Sequence, residues 1–563
     1  MGVNNEPQRL PVLRIVEILS ALKNRERRPA LLFHAAWILL LLCAAWMRFS
    51  LPLTPAIDKD FGGFLHPALG ALNGHGLVHA EGRAILYPSL VYALLAVFRD
   101  FRAITILQHT LGLATGVLLL ATWCAAWRAL RPARLQRWLY DVAGLAMFAV
   151  FLFAPQPVLF EFRIRPDVIC PFFAALSFYL LVRFLLAWRV EGNSRTMFGF
   201  AVAAVFVSFI LPSLKPSYWL CTLFTTIPVW CALFDRREKL ARRLLMAALP
   251  LAAVYLLLIL PERLSSRGDT SSATFLPQSL FSIHALIIRE QLAADVATPD
   301  PAVPYSPEKL RTTLTLLDAS IASAHMNNPG HMASLGYSAD WLLYHNPFFA
   351  QMDEADHSAL EKRLGFYRYY YRRTWQKMPG PMLRKVGIQL GIFYNLACPA
   401  YDKRGGDLRK YYAHADELLH SPNEQAIFDA WPPAQAYRAS VAQLKDHALE
   451  IPICKILHQT MDRLGNFYLP GLLAFLATLP WICWQAERRA RFGVFAAILA
   501  IGYAFNFGNN LGIAIFHTLQ IGRYSLVQFA TTLLTEMLTA IFLIEMVCAF
   551  AAPFFARKIS PHR

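Results

Sequence analysis

Apolar runs long enough to cross a bilayer recur along the chain, and basic residues gather at their ends. Read in order, they predict about ten spans. These are Ala30–Phe49, Ile104–Trp127, Leu139–Val158, Val168–Leu186, Phe198–Leu211, Tyr218–Phe234, Met246–Leu260, Tyr468–Trp484, Phe492–Phe507 and Leu526–Phe550. One further apolar piece, Tyr87–Phe98, has only about twelve residues, too few to cross. It predicts an interfacial or re-entrant helix within the loop 51–103. The predicted fold class is therefore mainly α: a polytopic transmembrane helical bundle.

The basic flanks orient it. Lys23, Arg25, Arg27 and Arg28 precede the first span, and Arg128, Arg131, Arg134 and Arg137 follow the second. Arg189 and Arg195, then Arg236, Arg237, Lys239, Arg242 and Arg243, then Arg488, Arg489 and Arg491, mark later loops of the same sign. Positive residues favour the cytoplasmic side, so both termini are expected there and the loop 51–103 outside. Between the seventh and eighth spans lies a polar region, 261–466, which alternation also places outside. It is large enough to fold as a domain, and Leu310–Ala324, Ala355–Lys377 and Pro381–Leu396 carry helical periodicity. The expected organisation is a cytoplasmic segment 1–29 with an amphipathic helix over Leu10 to Leu22, and a membrane module 30–260. The extracytoplasmic domain 261–466 and the C-terminal helices and tail 467–563 follow.

Composition agrees. Of the 563 residues, 56% are hydrophobic and 13% aromatic, too apolar for a soluble protein of this size. The formal charge of +17 would suit nucleic acid, but its placement at helix ends fits membrane lipid head groups instead, and no nucleic-acid partner is expected. Most cysteines fall in apolar runs. Cys398 and Cys454 lie in the polar region, where a disulfide and two separate thiols are both open.

The outer loops collect the chemistry. Asp58 and Asp60 follow the first span, with His66, His75, His79, Glu81 and Arg83 after them. Glu161, Arg163, Arg165 and Asp167 fill the loop before the fourth span, Lys215 the next, and His517, Arg523 and Tyr524 the last. A carboxylate can deprotonate an acceptor hydroxyl, and cations stabilise charge on a departing phosphate. Bland roles compete: solvated loop charges, a salt bridge pinning Glu161 or Asp167 to Arg163 or Arg165, a lysine reaching to head groups, a tyrosine of the interfacial belt. The irregularly spaced histidines have more often no metal role. Tyr367–Trp375 mixes bases and aromatics and reads best as packing. Glu536 and Glu545 lie within the tenth span, where carboxylates are commonly functional.

The ordered set resembles the GT-C class of integral-membrane glycosyltransferases. The resemblance rests on Asp58-x-Asp60, on Ala68–Gly76 followed by Arg83-Ala84-Ile85-Leu86-Tyr87-Pro88, on Arg163-x-Arg165-Pro166-Asp167, and on a large polar region toward the C-terminus. It covers about residues 30–260 by pattern and the rest by architecture alone. It implies transfer of a single sugar, such as arabinofuranose or mannose, from a polyprenyl-phosphate donor by inverting displacement. The acceptor would be a glycan, lipid or protein. The active site would face outward from the cytoplasmic membrane of a bacterium. Asp58 or Asp60 would be the base, with Glu161 or Asp167 orienting the acceptor. Arg83, Arg163, Lys215, Arg523 and Tyr524 would meet the donor phosphate. A divalent ion (Mg, Mn or Ca) on Asp58 and Asp167 is a further implication. A transporter or flippase, which Glu536 and Glu545 would suit, and a ligase or polymerase using a pyrophosphate-linked glycan are the alternatives.

Overall fold

A computed structural model describes residues 28–78, 83–130, 133–265, 276–328, 330–356, 360–401, 407–446, 451, 454–517, 524–525 and 527–558. The amphipathic segment over Leu10 to Leu22, His79, Glu81 and Arg523 lie outside them. Among the described residues every regular element is a helix, and the one strand-like pairing is an isolated bridge between Ala56 and Arg163.

The first part of the chain forms α1 (Arg28–Phe49), α2 (Gly62–Leu72), α3 (Leu86–Phe98), α4 (Arg102–Ala126), α5 (Arg137–Phe153), α6 (Cys170–Leu186), α7 (Ser194–Leu214), α8 (Trp219–Ala232) and α9 (Leu240–Val254). The polar region includes α10 (Leu360–Lys377), α11 (Pro379–Phe393), α12 (Leu408–Leu419), α13 (Pro422–Asp429) and α14 (Pro432–Leu444). The chain closes with α15 (Lys455–Trp484), α16 (Ala486–Phe516) and α17 (Phe529–Lys558).

Nine helical stretches among the described residues are long and apolar enough to cross a membrane, so the chain is a membrane-embedded helical protein. They match the predicted spans except the sixth, which is α8. Its 14 residues rise only about 21 Å against a hydrocarbon core of ~30 Å. The cause is local: Pro216 opens a 3₁₀ turn, Pro216–Tyr218, and the chain leaves the helix in turns at Leu233 to Asp235. The segment nevertheless returns along α7. The indole of Trp188, ahead of α7, donates to Asp235 beyond α8 at 2.8 Å. At α8 the backbones touch α16: a Cβ on Gly508 would stand 2.7 Å from the Cys221 nitrogen, so only glycine fits there.

The basic loops share one end of the bundle. Arg128 pairs with Glu191 at 2.8 Å, and Glu545 of α17 accepts the backbone N–H groups of Arg134 and Leu135 and faces Arg491 at 3.8 Å. Glu545 thus fastens the loop between α4 and α5. The loops holding Asp58, Glu161–Asp167, Lys215 and Tyr524 meet at the opposite end.

The polar region packs as two pieces. Residues 276–393 enclose a core containing Phe281, Phe348, Tyr367 and Tyr370, joined by Ile513 and Tyr524 from the membrane bundle. Within the tyrosine-rich run, Tyr367 and Tyr370 are buried. Arg373 grips Asp295 at 2.7 and 2.8 Å and Asp300 at 2.9 Å, which is the packing role. Helices α12–α14 instead pack against the segments before α2 and before α4. Tyr437 stacks on Phe101 with ring centres 4.1 Å apart, and Phe428 meets Phe61. Cys398 is buried, Cys454 is exposed, and both are free thiols.

Candidate functional site

Two irregular segments build the site. After the short helix Pro155–Phe160 the chain turns. Arg165 precedes a proline, which excludes helical geometry, and it is extended at φ −164° and ψ 151°. Pro166 then starts the 3₁₀ turn Pro166–Val168, which carries Asp167. Alongside runs the segment following α1. The Ala56 N–H donates to the Phe162 carbonyl at 2.7 Å, and the Ile164 N–H donates to the Ala56 carbonyl at 3.2 Å. The pairing is parallel, so Asp58 and Arg165, each two residues past the bridged pair Ala56 and Arg163, fall side by side. Asp58 then accepts the Asp60 N–H at 3.1 Å, a side-chain turn that swings Asp60 back to the same place before α2.

Arg165 is the hub. Its side chain is 2% exposed, and its fork reaches Asp58 at 2.7 Å and Asp60 at 2.8 Å, while Nε lies 3.4 Å from Asp167. A buried guanidinium this deep needs several carboxylates to offset its lost hydration. Arg83 adds a contact to Asp60 at 3.1 Å and lies across Gly63, where a Cβ would collide with its side chain at 2.7 Å. Below, the Gln108 amide donates to Tyr87 at 3.0 Å and to the Arg163 carbonyl at 3.1 Å, tying the loop to α3 and α4. Burial pushes the Tyr87 hydroxyl well above its ordinary value, so it stays protonated.

On the other side Lys215, made extended by Pro216, pairs with Asp167 and sits 4.1 Å over the ring of Tyr524. Asp167 also lines a cavity of about 30 Å³, large enough for about two waters. Phe151, Phe160, Glu161, Val527 and Phe529 complete much of its wall.

Glu161 keeps apart from the hub. It pairs with neither Arg163 nor Arg165. Arg48, wholly buried at the end of α1, holds it at 2.9 and 3.3 Å, and His109 of α4 meets it at 2.8 Å. Asp167, in contrast, makes the predicted salt bridge to Arg165. The structure therefore gathers Asp58, Asp60, Arg83, Arg163, Asp167, Lys215 and Tyr524, and sets Glu161 at the cavity wall. Sequence reasoning missed Arg165 as the hub, Arg48, His109, and Tyr411 of α12, whose ring lies 4.4 Å from the Arg163 guanidinium. Arg48 left a signal: an arginine at the far end of an apolar helix, away from the basic loops, needs a buried carboxylate.

Asp58 and Asp167 do not fit a shared divalent ion as they stand, because the Arg165 guanidinium lies between them and both pair with it. Among the described residues no group of three or more His, Cys, Asp or Glu side chains is placed to hold a metal. His66 pairs with Glu424 at 2.6 Å, joining α2 to α13. Within α17, Glu536 accepts the hydroxyl of Tyr401, so this carboxylate, like Glu545, fastens a segment outside its own helix.

Comparison of the chain with protein-family models, with curated proteins and with solved structures finds no match.

Proposed function

We propose that the chain is a GT-C type membrane glycosyltransferase, acting at the outer face of the cytoplasmic membrane of a bacterium and moving one sugar from a polyprenyl-phosphate donor to an outside acceptor. The observation that carries this reading is the Arg165 hub. It gathers two carboxylates from the loop after α1 and one from the loop before α6 at the end of the bundle opposite the basic loops. Asp58 and Asp60 keep side-chain exposures of 19% and 29%, so an acceptor hydroxyl can reach them.

In this reaction the acceptor oxygen attacks the anomeric carbon from the face opposite the phosphate. The new C–O bond forms as the bond from carbon to phosphate oxygen breaks. The hydroxyl proton passes to Asp58 or Asp60, and the phosphate leaves with the bonding electrons. Lys215, moving from Asp167 to the phosphate, meets the developing charge, with Tyr524 beneath it. The donor's tail would lie among the apolar helices beside the cavity at Asp167. Arabinofuranose and mannose fit such a donor equally. Arg523, next to Tyr524 in sequence, belongs with Lys215 in the same role.

The test is turnover of labelled polyprenyl-phospho-sugar by purified protein in nanodiscs. Asp58→Ala, Asp60→Ala and the double variant should lose transfer. Wild-type rates in all three would remove the base assignment. Donor accumulation in sealed proteoliposomes without covalent change would replace the transferase with a transporter.

A further inference from the structure

Arg163 and Arg165 are two residues apart and do opposite things. Arg165 spends its fork on three carboxylates. Arg163 does not: its closest acidic contact is Asp58 at 3.7 Å, beyond hydrogen-bonding distance, and its buried Nε has no hydrogen-bond partner among the described residues. The side chain is only 25% exposed. A half-buried guanidinium with a buried, unmatched Nε can receive an oxyanion, since its planar fork matches carboxylate or phosphate edge to edge.

The group is also aimed. Its guanidinium lies over the rings of Phe160 at 5.3 Å and Tyr411 at 4.4 Å. Tyr411 belongs to α12, far along the chain, and its place is fixed by its neighbours. The hydroxyls of Tyr412 and Tyr437 donate to the successive carbonyls of Thr54 and Pro55 at 2.7 and 2.9 Å. The exposed Lys410 precedes Tyr411, while Arg409 pairs with Asp407 at 3.5 Å. The contacts run Lys215, Asp167, Arg165, Asp58, Arg163, Tyr411, which puts Arg163 and Lys215 at opposite ends. The cavity between the helices adjoins Asp167, and Phe160, a ring neighbour of Arg163, lines it as well.

We infer that Arg163 and Tyr411 form an acceptor subsite that binds an oxyanion, carboxylate or phosphate, carried by the acceptor next to Asp58. This rests on the transferase reading for the word acceptor, and it moves Arg163 from the donor phosphate to the other substrate. The ring of Tyr411 steadies the Arg163 guanidinium that meets the anion.

The experiment is equilibrium binding of methyl glucuronide, glucose 6-phosphate and neutral methyl glucoside to the full chain in nanodiscs, followed by ligand-observed NMR. The expected result is that one or both anionic probes bind at least tenfold more tightly than the neutral one. Arg163→Gln and Tyr411→Ala should abolish that preference, and Tyr411→Phe should retain it. Preference for the glucuronide assigns a uronate, and preference for the phosphate assigns a phosphorylated acceptor. Equal binding of all three, binding of none, or a preference that survives both Arg163→Gln and Tyr411→Ala overturns the inference. Binding is read without turnover, so the two readings fail separately. An anion preference in a protein that transfers no sugar overturns the transferase and leaves the oxyanion site. Transfer without the preference does the reverse.

Discussion

The Tyr412 hydroxyl donates to the carbonyl of Thr54 at 2.7 Å, across 358 residues of sequence. Tyr437 does the same for Pro55. Two phenols from α12 and α14 thereby hold the backbone that enters the Ala56–Arg163 bridge, and that bridge sets the depth of Asp58. A distant helical piece is thus part of the frame of the site.

Replacing Tyr412 or Tyr437 by Phe should therefore do more than loosen a surface. Each change leaves a buried carbonyl unmatched, at about 1–3 kcal/mol. Thermal unfolding in detergent should fall for each variant. Sugar transfer should fall with it, because Asp58 loses its fixed register. Unchanged melting for both would mean that these carbonyls find other donors.

Arg165→Lys keeps the charge and removes the fork. One ammonium cannot reach Asp58, Asp60 and Asp167 in the geometry that the guanidinium holds. Turnover should drop about 10²-fold, the scale of a 1 Å misplacement, with a larger effect on kcat than on donor KM. Steady-state kinetics with the labelled donor checks it.

The Arg48–Glu161 pair offers a sharper stability test. Glu161→Gln strands a buried guanidinium and should cost ~3–5 kcal/mol. Changing both residues to Met removes the charges together and should recover most of that loss. Gly112→Ala should imitate the single change, since its Cβ would stand 2.0 Å from the Glu161 carboxylate. Melting temperatures of the three variants decide it. A double variant no better than Glu161→Gln would contradict the pairing.

Lys385 on α11, outside the spanning helices, predicts a pH dependence. Burial lowers its ammonium from the ordinary 10.5 to about 7, and its nearest polar neighbours are His284 at 3.3 Å and the Ala514 carbonyl at 3.0 Å. Above pH 7 the folded chain releases this proton while the unfolded chain keeps it. Stability from this residue therefore rises with pH between about 7 and 10.5, by at most ~1.4 kcal/mol per unit. Burial lowers His284 too, so its contribution is lost as pH falls below its ordinary 6.5. Relative to wild type, Lys385→Met should melt with a flatter profile from pH 7 to 9.5. Parallel profiles would refute the burial argument.

Much of the membrane architecture was legible because a span needs a long apolar run and nothing else makes one. Arg137–Phe160 and Ala486–Phe516 could hardly be read otherwise. α8 read as an ordinary span because hydropathy does not register where Pro216 and the turns at Leu233 stop the helix. The helix α2 went unpredicted: 11 residues with glycines at its start and Pro67 inside leave little periodicity. In the site, residue types were readable and partners were not. Arg163 and Arg165 look alike in sequence, and only the bridge at Ala56 tells which faces the aspartates. Tyr411 was invisible, because no local pattern says that α12 returns to the loop after α1.

That return has a consequence for how the protein is made. At about 5–20 residues per second, ribosomes need roughly 20–70 s to go from Thr54 to Tyr412. For that interval the aspartate loop stands in place without its clamp. A nascent chain cannot have a finished site until nearly the whole polypeptide has been inserted. Assembly of the Asp58 loop is thereby tied to the later part of translation.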